Sequence, residues 1–209
     1  MDKREHLMET AVKLFSEKGF EGTSIRDIAA EANVNVAMVN YYFGSKEKLF
    51  EALIENKAVY MRERIGEIIK DNSFSEIQKI DLLIETFVSR IFSNPAYHRV
   101  IHQELLMNKR EMLHEQIIAL FTQNTRTIIE LIEQGIAKGV FRKVDSTLTM
   151  ATLVGTINQV MLSKPMCKML LQGGDDFDPY SDMHFKNRLQ THIKDLLHHH
   201  LLTDKENNK

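Results

Sequence analysis

An all-α chain is what this sequence predicts, and three observations carry the prediction. Prolines number 3 and glycines 9 in 209 residues, so few positions interrupt a helix. Apolar residues recur at helical spacing nearly throughout, as in Leu7, Met8, Ala11, Val12 and Phe15. Between the periodic runs stand Ser, Asn, Asp and Gly, the residues that start and stop helices. The expected architecture is a small N-terminal three-helix helix-turn-helix domain over residues 1–45, followed by a larger C-terminal helical domain over 46–209. A helix starting at residue 46 links the two.

The first helix is expected from Lys3 to Lys18, stopped by Gly19, which can take a positive φ without strain. Ser24 then caps a short second helix, with Asp27 three residues on able to complete a capping box. Asn33 to Asn35 break that helix, and Asn35 caps a third from Val36 to Phe43. Gly44 ends it. Ser45 caps a fourth helix running through Leu49, Leu53, Met61, Ile65 and Ile69, until Asp71 to Ser73 break the chain again. Further helices are expected over Ser75–Ser93, Pro95–Met107, Lys109–Lys138, Ser146–Ser163 and Ser181–Leu202. Asn94 serves the second of these as cap, and Asn108 with Glu111 the third. Gly139 closes the longest helix. The stretch from Leu171 to Asp182 reads as a loop, and the polar tail after Leu202 as a frayed end.

Composition narrows the function classes. A formal charge of −2 excludes a uniformly basic nucleic-acid protein but leaves room for a local site. The single cysteine, Cys167, excludes an internal disulfide framework and reads as a packing residue. The charged, amphipathic N-terminus lacks the continuous apolar segment of a secretory signal, and no segment approaches the roughly 18 apolar residues of a membrane span. The expectation is a soluble cytoplasmic protein without membrane contact. The chain has no phosphate-loop glycine–lysine pattern, no nucleophile elbow, no HExxH and no paired cysteines, so no enzyme is expected, and no cofactor either.

The stretch "NVNVAMVNYYFGSKEKL", Asn33 to Leu49, carries the most specific chemistry. Val39 and Phe43, four apart, form one face of the third helix and can join Phe15, Ala29 and Ala32 in a small core. Val36, Ala37 and Asn40 lie on the other side, with Met38 between. If this helix enters a major groove, Asn40 can pair with adenine through two hydrogen bonds, and Val36 and Ala37 can touch a thymine methyl. Tyr41, Tyr42 and Lys46 offer two phenolic hydroxyls and an ammonium to phosphates, which fix register without reading sequence. A helical adaptor that binds only protein is the competing reading, but it has no need of Tyr42, Lys46 and this helix spacing together.

The segment "AVKLFSEKGFEGTSIRDIAAEANVNVAMVNYYFGSKEKLFEAL", residues 11–53, closely resembles the N-terminal domain of TetR-family transcriptional regulators, with the spacing intact. The resemblance implies a ligand-responsive regulator, usually a repressor, that binds a palindromic operator as a homodimer. Arg26 resembles the second-helix residue that reaches a base or phosphate, and Ser24 the phosphate-facing cap. Asn35, Val36, Ala37, Met38 and Asn40 fall on the recognition helix, Tyr41 and Tyr42 on its phosphate-binding end, and Lys46 on the lysine that starts helix four. The chain departs from the family pattern at three places: Asn33 stands for the usual turn glycine, Ala37 for a frequent glycine and Asn40 for the usual tyrosine.

Beyond residue 53 the resemblance covers length and helical layout. It implies self-association through the last two long helices, where Met183, Leu189, Ile193, Leu196 and Leu197 make an apolar stripe and Gly155 allows close approach. It also implies a pocket for a small effector, for which Phe87, Phe92, His102, Leu106, Phe121, Thr125, Asn158, Gln159 and Met161 are candidates. His98 and His102 share a helix face but lack an evident third ligand, and His198 to His200 splay around a helix, so no metal site is expected.

Overall fold

The computed structural model describes residues 2–107, 111–174 and 176–203. Among these the chain is helical: α1 Lys3–Lys18, α2 Ile25–Glu31, α3 Val36–Phe43, α4 Lys46–Lys70, α5 Glu76–Ser93, α6 Pro95–Met107, α7 Glu111–Ala137, α8 Ser146–Met161, α9 Lys164–Leu171 and α10 Met183–Leu201. The expected cap at Asn108 and the tail after Thr203 lie outside the described residues. Two compact units form, one from Met1–Met61 with Ala96–Phe121, the other from Arg62–Pro95 with Thr122–Lys209.

Local chemistry sets the helix ends in the first unit. Ser24 Oγ accepts the Asp27 N–H at 3.1 Å while the Asp27 carboxylate accepts the Ser24 N–H at 2.8 Å, a complete capping box. Asn33, with φ 53°, takes the left-handed turn that asparagine tolerates, and Asn35 Oδ1 accepts the Ala37 N–H at 2.9 Å to open α3. Gly19 has the expected positive φ of 73°, although its ψ of 168° leads the chain away extended.

The core of this unit is continuous across α1, α2, α3, the first turns of α4, and the α6 and α7 residues Val100, Ile101, Leu113 and Ile117. At its centre the rings of Phe15, Phe20 and Phe50 meet pairwise at 5.2, 5.4 and 5.3 Å, two of the three contacts edge-on. Removing Phe50, which is fully buried, should cost about 3–5 kcal/mol. Leu49, Phe50, Leu53 and Ile54 make the packing unit larger than residues 1–45 alone.

In the second unit α10 packs along α5. His198 Nε2 lies 2.8 Å from Asp81 Oδ1, Lys194 pairs with Glu85, and Gln190 Nε2 donates to the Glu85 carbonyl at 3.3 Å. The apolar stripe of α10 divides as a result: Leu189, Ile193 and Leu197 are buried within this unit, while Met183 and Leu196 stay exposed. Three of the five residues of the stripe expected for self-association are therefore core within the protomer.

One helix is absent from the sequence expectations. Ser163 Oγ accepts the Met166 N–H and caps α9, which starts at Lys164, and Gln172, at φ 52°, ends it. The loop expected from Leu171 is accordingly shorter. It is tied down by Tyr180, whose hydroxyl donates to the Met161 carbonyl at 2.5 Å, and by Phe177 against Phe185 at 5.9 Å.

Candidate nucleic-acid interface

The α2–turn–α3 pair is held to α1 from both sides. His6 Nε2 lies 3.3 Å from the Ala32 carbonyl, Lys13 pairs with Glu31 at 2.6 Å, and the Arg4 guanidinium stands 5.3 Å over the Phe43 ring. None of these three tethers was evident in the sequence, since no spacing rule links residues of one helix to another so far along the chain.

On α3, Val39 is fully buried and Phe43 nearly so, fixing which way the helix faces. Ala37 and Asn40 are exposed and Tyr41 is 84% exposed, with its ring edge-on to Tyr42 at 5.3 Å. Met38 is half-buried, between the two faces. Val36, expected on the outward side, is instead half-buried and packs against the core, because positions i, i+3 and i+7 put it in line with Val39 and Phe43. Tyr42 also packs partly against that core and so is less of a free arm than Tyr41.

The polar candidates separate by how their groups are already used. Arg26 on α2 is exposed. Ser24 is exposed, but its hydroxyl donates to Asp27 Oδ2 at 2.6 Å, and this bond, with the Ser24 N–H, holds the Asp27 carboxyl below its ordinary 3.8. A stable carboxylate beside Ser24 opposes a phosphate there. Asn35 spends its oxygen on the α3 cap. Lys46, expected to reach phosphate, turns back: its Nζ donates to the carbonyls of Phe20 at 2.9 Å and Thr23 at 3.0 Å. These acceptors lie more than twenty residues earlier, beyond the reach of local pattern.

The nine effector-pocket candidates fall in both units. In the first, His102 is half-buried, and burial pushes its imidazole below the ordinary 6.5, while Leu106 and Phe121 are exposed at 80% and 41%. Those two wall no interior within their unit, since they lie on outward faces. In the second, Met161 is fully buried, Phe87, Phe92, Thr125 and Asn158 are half-buried, and Gln159 is exposed with its amide 3.4 Å from Met166 Sδ. Phe92 meets Phe185 at 6.0 Å. Asn124 was not a candidate, yet its buried Oδ1 has no hydrogen-bond donor among the described residues.

A short exposed helix presented by a tight turn on a supporting helix defines a DNA-binding helix-turn-helix protein. The family profile of bacterial regulatory proteins of the tetR family matches residues 7–53, and a profile for the tetracyclin repressor-like C-terminal domain matches residues 73–162. The chain is 31% identical over 159 residues to the HTH-type transcriptional repressor NicS of Pseudomonas putida, covering 72% of this chain and 71% of that one. It is 51% identical over 134 residues to the probable HTH-type transcriptional regulator YttP of Bacillus subtilis, covering 63% of this chain and 64% of YttP. Among solved structures, the ketosteroid transcriptional regulator KstR2 of Mycobacterium tuberculosis superposes with a TM-score of 0.75 at 19% identity over 97% of this chain and 96% of KstR2. AibR, solved in complex with isovaleryl coenzyme A and operator DNA, does so at 0.72 and 16% identity over 93% of this chain and 97% of AibR. The chain belongs to the tetR family of bacterial regulatory proteins. It is a DNA-binding transcriptional regulator.

Proposed function

We propose that this regulator is a ligand-responsive repressor that reads a two-fold symmetric operator as a homodimer, with residues 1–45 as the reading domain. The observation that carries the reading is the outward face of α3: Ala37, Asn40 and Tyr41 are exposed while Val39 and Phe43 anchor the helix from behind. Asn40 reads adenine, Ala37 lies against a thymine methyl, and Tyr41 and Arg26 contact the backbone. Met38, Val36 and Tyr42 set the helix's seating, and Ser24 and Asn35 hold the helix starts. The repressor NicS, over its aligned 159 residues, supports the direction of control.

The self-association surface is assigned to α8 with the exposed part of α10. The α8 sequence from Ser146 to Met161 holds no charged residue, in a chain 27% charged, and leaves Leu148, Thr152, Val154 and Gly155 exposed. A helix face of that composition is costly to leave in water. Met183 and Leu196 of α10 are the exposed remainder of the stripe.

The effector is assigned to the second unit and is a small, mostly apolar molecule. Phe87, Phe92 and Met161 supply apolar surface, Thr125 and Asn158 polar orientation, and the Asn124 Oδ1 an acceptor for a ligand donor. The working place of the protein is the cytoplasm; among the described residues no helix is long and apolar enough to cross a membrane.

Selection of bound duplexes from a random-sequence pool, followed by mobility shift, tests the reading. Enrichment of a sequence with two related half-sites about one helical turn apart is expected. Equal affinity for enriched and random duplexes would remove the role given to α3.

A further inference from the structure

Buried polar side chains of the second unit are in general partnered by the fold. Lys79, 8% exposed, donates its ammonium to the Ile69 carbonyl at 2.8 Å, and the buried Thr149 hydroxyl donates to the Asp145 carbonyl at 2.7 Å. Two groups are exceptions among the described residues of this unit. The buried Arg62 Nε on α4 has no acceptor, and Oδ1 of Asn124 on α7, a residue 8% exposed, has no donor. Leaving a polar group dry and unpaired costs stability, most of all when it is charged.

Both side chains interrupt apolar stripes. Arg62 precedes Ile65 by three residues, and Asn124 precedes Ile128 and Leu131 by four and seven, spacings that keep each on the inward face of its helix. Ile65, Ile128 and Leu131 are at most 3% exposed. Methionine at the first place or leucine at the second would complete the stripe with no hydrogen bond to satisfy, so packing does not account for the residues found there. Arg62 is the first residue of the α4 segment of this unit and Asn124 the third of its α7 segment, while the half-buried Phe92 of α5 stands three residues before the chain leaves the unit at Pro95. A cationic donor, a neutral acceptor and an aromatic ring are thus brought toward the end of the unit at which the chain enters and leaves it.

These groups select a ligand by its chemistry. A guanidinium presents its N–H donors in a fixed fork that matches a carboxylate, and an amide oxygen accepts from a hydroxyl or an N–H and repels a carboxylate. We propose that the effector is a carboxylic acid with an apolar body and one hydroxyl or N–H group: its carboxylate takes the unused Arg62 donor, and its own donor meets Asn124 Oδ1. The proposal rests on the reading of the second unit as the effector domain and narrows the ligand from a mostly apolar molecule to an acid. A neutral apolar ligand leaves the buried Arg62 donor unsatisfied, and an amine meets it with like charge.

Full-length wild type, Arg62→Met and Asn124→Leu are first unfolded in denaturant without ligand. They are then titrated calorimetrically with octanoate, hydroxyoctanoate, phenylacetate and mandelate, each beside its methyl ester. Without ligand, both variants are expected to unfold at a denaturant midpoint equal to or above that of the wild type, since each removes an unpaired buried polar group. A lower midpoint in either variant shows that its side chain is partnered within the fold and overturns the proposal. At least one acid is expected to bind the wild type about tenfold or more tightly than its ester, and Arg62→Met is expected to erase that difference. Asn124→Leu is expected to lower the advantage of a hydroxylated acid over its parent by about threefold or more. Esters that bind as well as the acids, acids that do not bind, or variants that keep the wild-type preferences overturn the proposal. Release of an enriched operator duplex separates it from the reading on which it rests: an ester that binds and releases the duplex keeps the effector domain and overturns the acid, whereas acids that bind through Arg62 without releasing the duplex keep the acid site and overturn the ligand response.

Discussion

The imidazoles of His98 and His102, one turn apart on α6, lie with ring centroids 4.5 Å apart. Both are half-buried, and burial holds His102 below its ordinary 6.5. A depressed histidine takes up its proton more readily unfolded than folded, so its neutral form contributes stability fully above pH 6.5 and loses it as pH falls through the folded value. Stability of the chain should therefore decline on acidification from about pH 6.5, well above the carboxylate range. His102→Gln should flatten that decline in denaturant melts at a series of pH values. A variant that retains the wild-type slope between pH 6.5 and 5 would assign the effect to another group.

Asn40→Ala removes the one amide on the exposed face of α3 and leaves the buried anchors Val39 and Phe43 in place. Discrimination should relax at a single operator position by about 1–3 kcal/mol, the scale of a bidentate base contact. Tyr41→Phe should instead weaken enriched and random duplexes alike, because a hydroxyl on phosphate carries no sequence information. Competition binding against single-base operator variants reads both outcomes, and equal losses for Asn40→Ala on every duplex would move Asn40 to the backbone-contact class.

Charge insertion on the two long C-terminal helices should separate self-association from folding. Leu148 is 64% exposed, so Leu148→Glu should yield folded monomers by sedimentation with weak operator affinity. Ile193 is fully buried, so Ile193→Glu should unfold the second unit, since an unpaired charge in a core costs several kcal/mol or more. A Leu148→Glu protein that remains dimeric would remove α8 from the proposed surface.

Several helix boundaries were legible where a cap is a local event. Lys3–Lys18, Val36–Phe43 and Pro95–Met107 stand where the sequence predicts them, and the Ser24–Asp27 box and the left-handed Asn33 follow from chemistry within three or four residues. The α9 helix was not legible, because Ser163-Lys164-Pro165 reads equally as the end of α8, and its stop at Gln172 uses a left-handed conformation without glycine. Side-chain destinations were the least legible. Lys46 binds carbonyls 26 and 23 residues earlier, and Lys194 pairs with Glu85, 109 residues back. Periodicity shows that a residue has an apolar or polar face to satisfy; only the fold decides which neighbour satisfies it.

Cys167 is fully buried, and burial pushes its thiol above the ordinary 9.0. The thiolate that alkylating reagents require is therefore scarce, and the sulfur is covered. Native protein should resist a thiol reagent at neutral pH and react fully in denaturant. Rapid native labelling would show that α9 opens in the folded state.

Two helical glycines should respond in opposite ways to alanine. In a helix interior alanine is favoured over glycine by about 1 kcal/mol, so a substitution with room for the methyl should stabilise. At Gly135 there is no room: an added Cβ would lie 2.2 Å from the Phe141 ring, and Phe141 is itself buried at 3% exposure. The ring must move within a packed core, at a cost of about 1–3 kcal/mol that cancels or exceeds the helical gain. Gly155 lies exposed on α8 with nothing within 4 Å of an added Cβ, so Gly155→Ala should raise the stability of the isolated protomer. If α8 meets a second copy closely at this point, the same methyl should weaken self-association, so that protomer stability rises while the dimer dissociation constant increases. Chemical denaturation at low protein concentration together with sedimentation equilibrium separates the two effects. A Gly155→Ala protein with unchanged self-association would show that helices do not approach closely there, and that the absence of a side chain at this position serves no contact between copies.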